Sequence, residues 1–263
     1  MKRLVMVLGI ATFLPAFAAA DERGTYVTMD RIGTDSDVGI DVAALLYNSG
    51  GPDFGLRENV HARYVDPSGF GVFGQFSIGH VFGNGQSETA ATNPEIGGLY
   101  ILKLEGADVG FRFGLGFPTA PKTLNGAVTN VLTSIVRLED VALIGPDALW
   151  LRPGVTVRAG SREVFAQLDL GIDIPLKTGD AGTKKVQLHG NVGVGTRQGP
   201  VALTAELATY GVDNNGLEFL HNLGASLRYV DGNVHPFISY VLPFKFGDKI
   251  PAHAIVAGVD GTF

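Results

Sequence analysis

The chain has 263 residues, no cysteine, 37 glycines and a formal charge of −6. That length fits one large all-β domain or two small ones. The acidic balance argues against nucleic acid, whose phosphates require basic patches. The missing thiols exclude disulfides and thiolate metal sites.

Residues 1–20 come first in chain order. Lys2 and Arg3 precede an apolar run from Leu4 to Phe17, and Ala18-Ala19-Ala20 supply small residues before Asp21. This is the layout of a cleavable signal peptide, too short in its apolar run to span a bilayer as a helix. Residues 21–37 read as an N-terminal segment on the periplasmic side, and 38–263 as one domain.

From residue 38 onward a single period dominates. At 70–82, Phe70, Val72, Phe76, Ile78 and Phe82 share one face, with Phe73 the exception. At 109–117, Val109, Phe111, Phe113, Leu115 and Phe117 oppose Gly110, Arg112, Gly114 and Gly116. The stretches 149–159, 164–176 and 186–194 alternate in the same way. Period two sustained over such lengths predicts strands. Weaker strands are predicted at 38–47, 56–65, 96–105, 201–210, 217–230, 234–244 and 254–263. Both faces are mixed at 96–105 and 234–244. After residue 20 no apolar run reaches the roughly 18 residues of a membrane helix.

The connections alternate as well. Short turns rich in Gly, Pro, Asp and Asn fall at 66–69, 106–108, 160–163, 198–200 and 231–233. The gaps near 48–55, 83–95, 118–147, 177–185, 211–216 and 245–253 are mostly longer. Residues 174–180 and 242–248 form a weak repeat, each with a Pro near a strand end where pairing stops. A rim site built from Lys177, Asp180, Lys245 and Asp248 is the functional alternative to that structural role.

The last stretch alternates and stops on Phe263. A closing strand with a terminal Phe, behind a secretory leader, resembles the assembly signal of Gram-negative outer-membrane β-barrels. The resemblance is porin-like and architectural, and it covers the whole mature chain. It implies an all-β fold, a transmembrane antiparallel up-and-down β-barrel of about 12 strands. It also implies an outer-membrane location, contact with outer-membrane lipid and lipopolysaccharide, and insertion by the barrel-assembly machinery. Short turns would then face the periplasm and long loops the exterior. A soluble β-protein also alternates, but with its apolar face inward.

With apolar residues facing lipid, the other parity lines the interior. It holds Arg57, His61, Arg63, Arg112, Arg152, Arg158, Asp169, Asp173, Glu206 and Arg228. Charges of both signs imply either a water-filled lumen or a bracing network. The pore-lining set expected from this is Arg63, Arg112, Arg152, Arg158, Asp169, Asp173, Glu206 and Arg228. In the longest loop, 118–147, Val131, Leu132, Ile135, Val136 and Leu138 recur at helical intervals across 129–143. Thr129 or Asn130 is the expected cap. The position resembles the third loop of general porins, which folds inward as a constriction. That resemblance implies Glu139 and Asp140 opposing Arg112, Arg152 and Arg158 across an eyelet.

No Gly-x-Ser-x-Gly or His-Glu-x-x-His motif is present. His80 and His221 are expected to face outward near the upper rim. An enzyme, a cofactor and a metal are therefore not expected. The expected function is a channel for passive diffusion or transport of small hydrophilic solutes, anionic ones included. The alternative is a closed barrel with a structural, adhesion or binding role through its outer loops. Nothing in the sequence fixes an oligomeric state.

Overall fold

The computed structural model describes residues 26–29, 33, 35–48, 52–83, 85–178, 185–213, 217–245 and 252–263. The signal-peptide region 1–20 lies outside them, as do Asp180 and Asp248 of the expected rim site. Among the described residues, strands β1 (Asp37–Tyr47), β2 (Phe54–Val65), β3 (Phe70–Gly83), β4 (Gln86–Ala91), β5 (Glu95–Leu104) and β6 (Ala107–Gly116) come first. A helix, α1 (Leu124–Ser134), and a 3-10 helix (Leu138–Ile144) follow. Then come β7 (Leu149–Gly160), β8 (Val164–Lys177), β9 (Gln187–Gln198), β10 (Val201–Asp213), β11 (Leu217–Tyr229), β12 (Val234–Phe244) and β13 (Ala252–Thr262).

Every pairing is antiparallel, and the sheet closes on itself. β1 pairs with β13 from Asp37↔Thr262 to Tyr47↔Ala252, and with β2 on its other side. The lower half of β3 pairs with β5 and its upper half with β4. β4 and β5 therefore form one stave, interrupted at Thr92–Pro94, and the barrel has 12 staves. The expected long gap at 83–95 is corrected here. Gln86–Ala91 extends the wall, because polar residues on both faces hid a strand at the rim. The ladder between β7 and β8 omits Arg152 and Pro153, the latter having no N–H to donate.

The barrel is inside-out. Its exterior carries Val38, Val60, Phe111, Phe113, Leu170, Val194, Leu223 and Ile238, all well exposed. The interior carries buried Arg57, Asn59, Arg152, Asp169, Asp173 and Glu206. An apolar exterior around a polar interior suits hydrocarbon outside, the distribution of a transmembrane barrel. Closure pairs both edges of every described strand except β4, which pairs with β3 alone. Aromatic pairs mark both ends of the wall: Phe70 with Tyr100 near the short turns, ring centroids 4.6 Å apart, and Phe54 with Phe82 near the long loops, 6.1 Å apart.

Two strands with mixed faces have a physical reason. On β12, Phe237 and Val241 point inward and join Ala43, Leu45, Ala254 and Val256 in an apolar patch of the inner wall. On β5, Leu99 and Ile101 point inward against Val65 and Phe73. This also explains Phe73, the exception on its strand.

Candidate functional site

Two chain segments enter the barrel. The first is Tyr26–Met29, all four residues buried. Glu206 on β10 accepts from the backbone N–H of Val27 at 3.1 Å and of Thr28 at 2.9 Å. Tyr26 packs edge-on against Phe165, with ring centroids 6.2 Å apart. Its ring lies where a side chain at Gly193 would stand. Val27 joins the apolar patch of the inner wall. Of the 21–37 segment expected on the periplasmic side, Tyr26–Met29 lie within the barrel and Asp37 begins β1. Four irregular residues carry no period that could have shown this.

The second insert is the 117–148 connection. Its helix begins at Leu124, capped by Thr123, whose hydroxyl accepts from Gly126 N at 3.2 Å. The expected cap at Thr129 or Asn130 is thus moved by two turns. The facing side of α1 also differs from expectation. Thr129, Asn130, Thr133 and Ser134 are buried, while Leu124 is 78% and Val131 51% exposed. The inner wall is polar here, so a polar helix face lies on it. Thr133 occupies the space that a side chain at Gly79 would need, and Asn130 donates to the Ala91 carbonyl at 3.0 Å. Past the helix, Val136 and Leu138 turn in and are buried.

Asn93, in the break between β4 and β5, holds both ends of this insert. Its carboxamide oxygen accepts from Thr119 N and Ala120 N, each at 2.7 Å. Its amide donates to the Gly145 carbonyl at 2.8 Å, and its backbone N–H donates to the Leu143 carbonyl at 2.7 Å.

All eight expected wall residues point inward and are buried. Arg152 donates to Glu95, to Asp173 (Nε to Oδ1, 2.8 Å) and to the Glu139 carbonyl. Arg63 pairs with Asp37, and Arg228 with Asp260. Arg158 lies over the Phe165 ring at 5.4 Å. Asp169 accepts from Gln167 at 3.0 Å. Arg112 Nη2 is 3.5 Å from His189 Nε2. Asp37, Asp41, Glu95 and Asp260 are inward carboxylates that the sequence reading missed. Three stand near strand ends or mixed faces, where parity is weakest.

Glu139 and Asp140 do lie inside the barrel, and of the expected arginines Arg152 donates to the Glu139 main-chain carbonyl. Asp140 binds Arg57 and Arg137, and accepts from Gln75 at 3.1 Å. Glu139 Oε1 accepts from Asn191 at 2.8 Å. A continuous relay results, running from Asp41 through Asn59, Ser77 and Arg57 to Asp140, then through Gln75 and Glu95 to Arg152.

Burial alone would raise the Asp140 carboxyl, but the guanidinium groups of Arg137 and Arg57 outweigh it and hold it well below the usual carboxylate range. A depressed pKa stabilises the docked insert above the unfolded value of about 3.9 and loses that effect only as pH falls toward the lower folded value. Protection factors in 124–144, with exchange corrected for its intrinsic pH dependence, should therefore stay unchanged between about pH 5 and pH 8. An insert that loosens on acidification within that window contradicts this assignment.

His80 and His221 face outward near the long-loop rim. His221 stacks on Phe244 with ring centroids 5.1 Å apart. The channel expectation thus has a lumen to be judged on: polar, charged and occupied by two inserts. Between Arg137 of the second insert and the wall lies a cavity of about 50 Å3, lined by Asp37, His61, Arg63, Gln75 and Arg112 among others.

The architecture is that of a closed antiparallel β-barrel of 12 staves with an apolar exterior. Among solved structures, the chain is similar to an outer membrane channel from Pseudomonas putida F1, with a TM-score of 0.60 and 9% identity over 88% of this chain and 97% of that one. It is also similar to the NanC porin, with a TM-score of 0.54 and 10% identity over 85% and 100%. The KdgM porin, also solved in complex with disordered oligogalacturonate, gives a TM-score of 0.53 and 14% identity over 86% and 99%. No protein-family model matches the chain, and no curated protein matches it in sequence.

Proposed function

We propose that the protein is an outer-membrane channel for passive diffusion of small hydrophilic solutes, anionic ones in particular. It would be exported by a leader cleaved after residue 20. The observation that carries this is the lumenal cavity. Its lining holds three guanidinium groups, those of Arg63, Arg112 and Arg137, with Arg63 paired to Asp37 and Arg137 to Asp140. A wall that replaces part of a solute's hydration with fixed charge selects by sign as well as size. The inserts are the size filter, and the charges on Arg63 and Arg112 are the screen. The KdgM porin, a structural neighbour, was solved with an oligogalacturonate, and an anionic solute is consistent with the same use of this fold.

Planar-bilayer recording tests the reading. The full chain should give discrete conductance steps and a reversal potential displaced toward anions in a salt gradient. Removal of 124–144 should enlarge the steps. Unchanged steps would remove the insert from the pathway, and the absence of steps from both proteins would overturn the channel.

One observation favours the second reading, a closed barrel that acts through its outer loops. The cavity lined by Asp37, Arg63, Arg112 and Arg137 has room for only a few waters. The same recording separates the two, since a closed barrel stays silent.

A further inference from the structure

The outer wall carries one charge that the channel does not use. On β2 the outward-pointing residues are Phe54, Leu56, Glu58, Val60, Ala62 and Tyr64, and Glu58 is exposed. Across the ladders it faces Val42 on β1 and Ile78 on β3. Among the described residues, no other Asp, Glu, Lys or Arg points outward between the aromatic ends of the wall, and no hydrogen bond or ion pair reaches Glu58. It stands four residues below Phe54 and six above Tyr64, inside the apolar band. An ionised group facing hydrocarbon is unfavourable unless something meets it there, and such positions are functional by default.

The same face supplies a complement. His80 on β3 points outward, lies opposite Leu56, and stands two residues beyond Ile78 toward the long-loop rim. Its Nδ1 is 2.9 Å from Thr89 Oγ1 on β4, which leaves Nε2 free to turn away from the wall. Among the described residues the outer wall offers no lysine or arginine between its aromatic ends, so the basic groups a second copy presents there to Glu58 are imidazoles.

We infer that the β2–β3 wall is an interface between two copies of this chain, with Glu58 of each copy hydrogen-bonded to His80 of the other. A two-fold axis along the membrane normal keeps both copies at one depth and makes the contact reciprocal, as an isologous interface requires. Val60, Ala62, Gly74 and Phe76 complete the contact surface around the pair. The interface leaves the lumen untouched, so it stands or falls separately from the channel.

The chain has no cysteine, so one introduced thiol reports proximity. Val60→Cys, tested in intact outer membranes of cells expressing the full chain, should give an oxidised dimer of twice the monomer mass. Val192→Cys, on β9 of the opposite wall, should give none. Adding Glu58→Leu to Val60→Cys should abolish the cross-link, and adding the exchange Glu58→His with His80→Glu should restore it. Heat-dependent migration on gels verifies that each variant is a folded barrel. Equal cross-linking at Val60→Cys and Val192→Cys, a cross-linked partner other than this chain, persistence in the Glu58→Leu background, or monomer throughout would each overturn the inference.

Discussion

Arg152→Ala should lower the stability of the barrel by about 3–5 kcal/mol, read as a shift in the urea unfolding midpoint. The guanidinium is fully buried and holds two carboxylates, Glu95 and Asp173, as well as the Glu139 carbonyl. Its removal leaves two buried acids without their cation, and that desolvation exceeds the loss of the contacts themselves. The location amplifies the effect, because the β7–β8 ladder skips Arg152 and Pro153. The Arg152–Asp173 bond bridges the same two strands where backbone bonds are missing. Arg152→Ala combined with Glu95→Gln and Asp173→Asn should recover part of the loss. Lys122→Ala breaks only the exposed pair with Asp147 and should cost less than about 1 kcal/mol. Equal effects for Arg152→Ala and Lys122→Ala would refute a bracing role.

Glu206→Ala should release Tyr26–Met29 from the lumen. Hydrogen bonds to a charged acceptor contribute about 1.5–3 kcal/mol each, and here two converge on one carboxylate. Even the smaller value shifts a bound–free equilibrium roughly tenfold. Thr28 is fully buried, so a Thr28→Cys thiol should resist a water-soluble maleimide in the otherwise unchanged chain. The added Glu206→Ala change should make it react. In bilayers the same change should enlarge the conductance step. Equal labelling rates with and without Glu206→Ala would show that the carboxylate does not hold the segment.

The outer face was legible because lipid asks one thing of a side chain. Val109, Phe111, Phe113 and Leu115 satisfy it without competition, and the parity of Arg112, Arg152, Asp169 and Glu206 follows from theirs. Legibility fades where the inside is also apolar. Phe237 and Val241 pack inward on Val27 and Val136, so β12 presents apolar residues to both sides. The 118–147 loop was legible as one that carries a helix, with the lumen as one of several places for it, but not in its facing. An apolar stripe ordinarily marks the packed side, whereas the wall that receives α1 is made of backbone and polar groups. Thr129, Asn130 and Thr133 therefore face the wall, and Leu124, Val128 and Val131 do not. The partners of Asp140 depend on which strand meets the insert in space. Arg57 is 83 residues away in sequence, and spacing cannot encode that.

The four hydrogen bonds at Asn93 join the two ends of the insert at one amide. A loop anchored at separate points must unravel to leave a lumen. This one has its entry and exit on the same pivot, so it can swing as a door without losing its own helix. Between those ends the insert is tied to several strands: Arg57 and Gln75 to Asp140, Arg152 to the Glu139 carbonyl, Asn191 to Glu139, and Asn222 to the Ile135 carbonyl at 2.8 Å. Loss of any one of these ties leaves the two ends of the insert joined at Asn93.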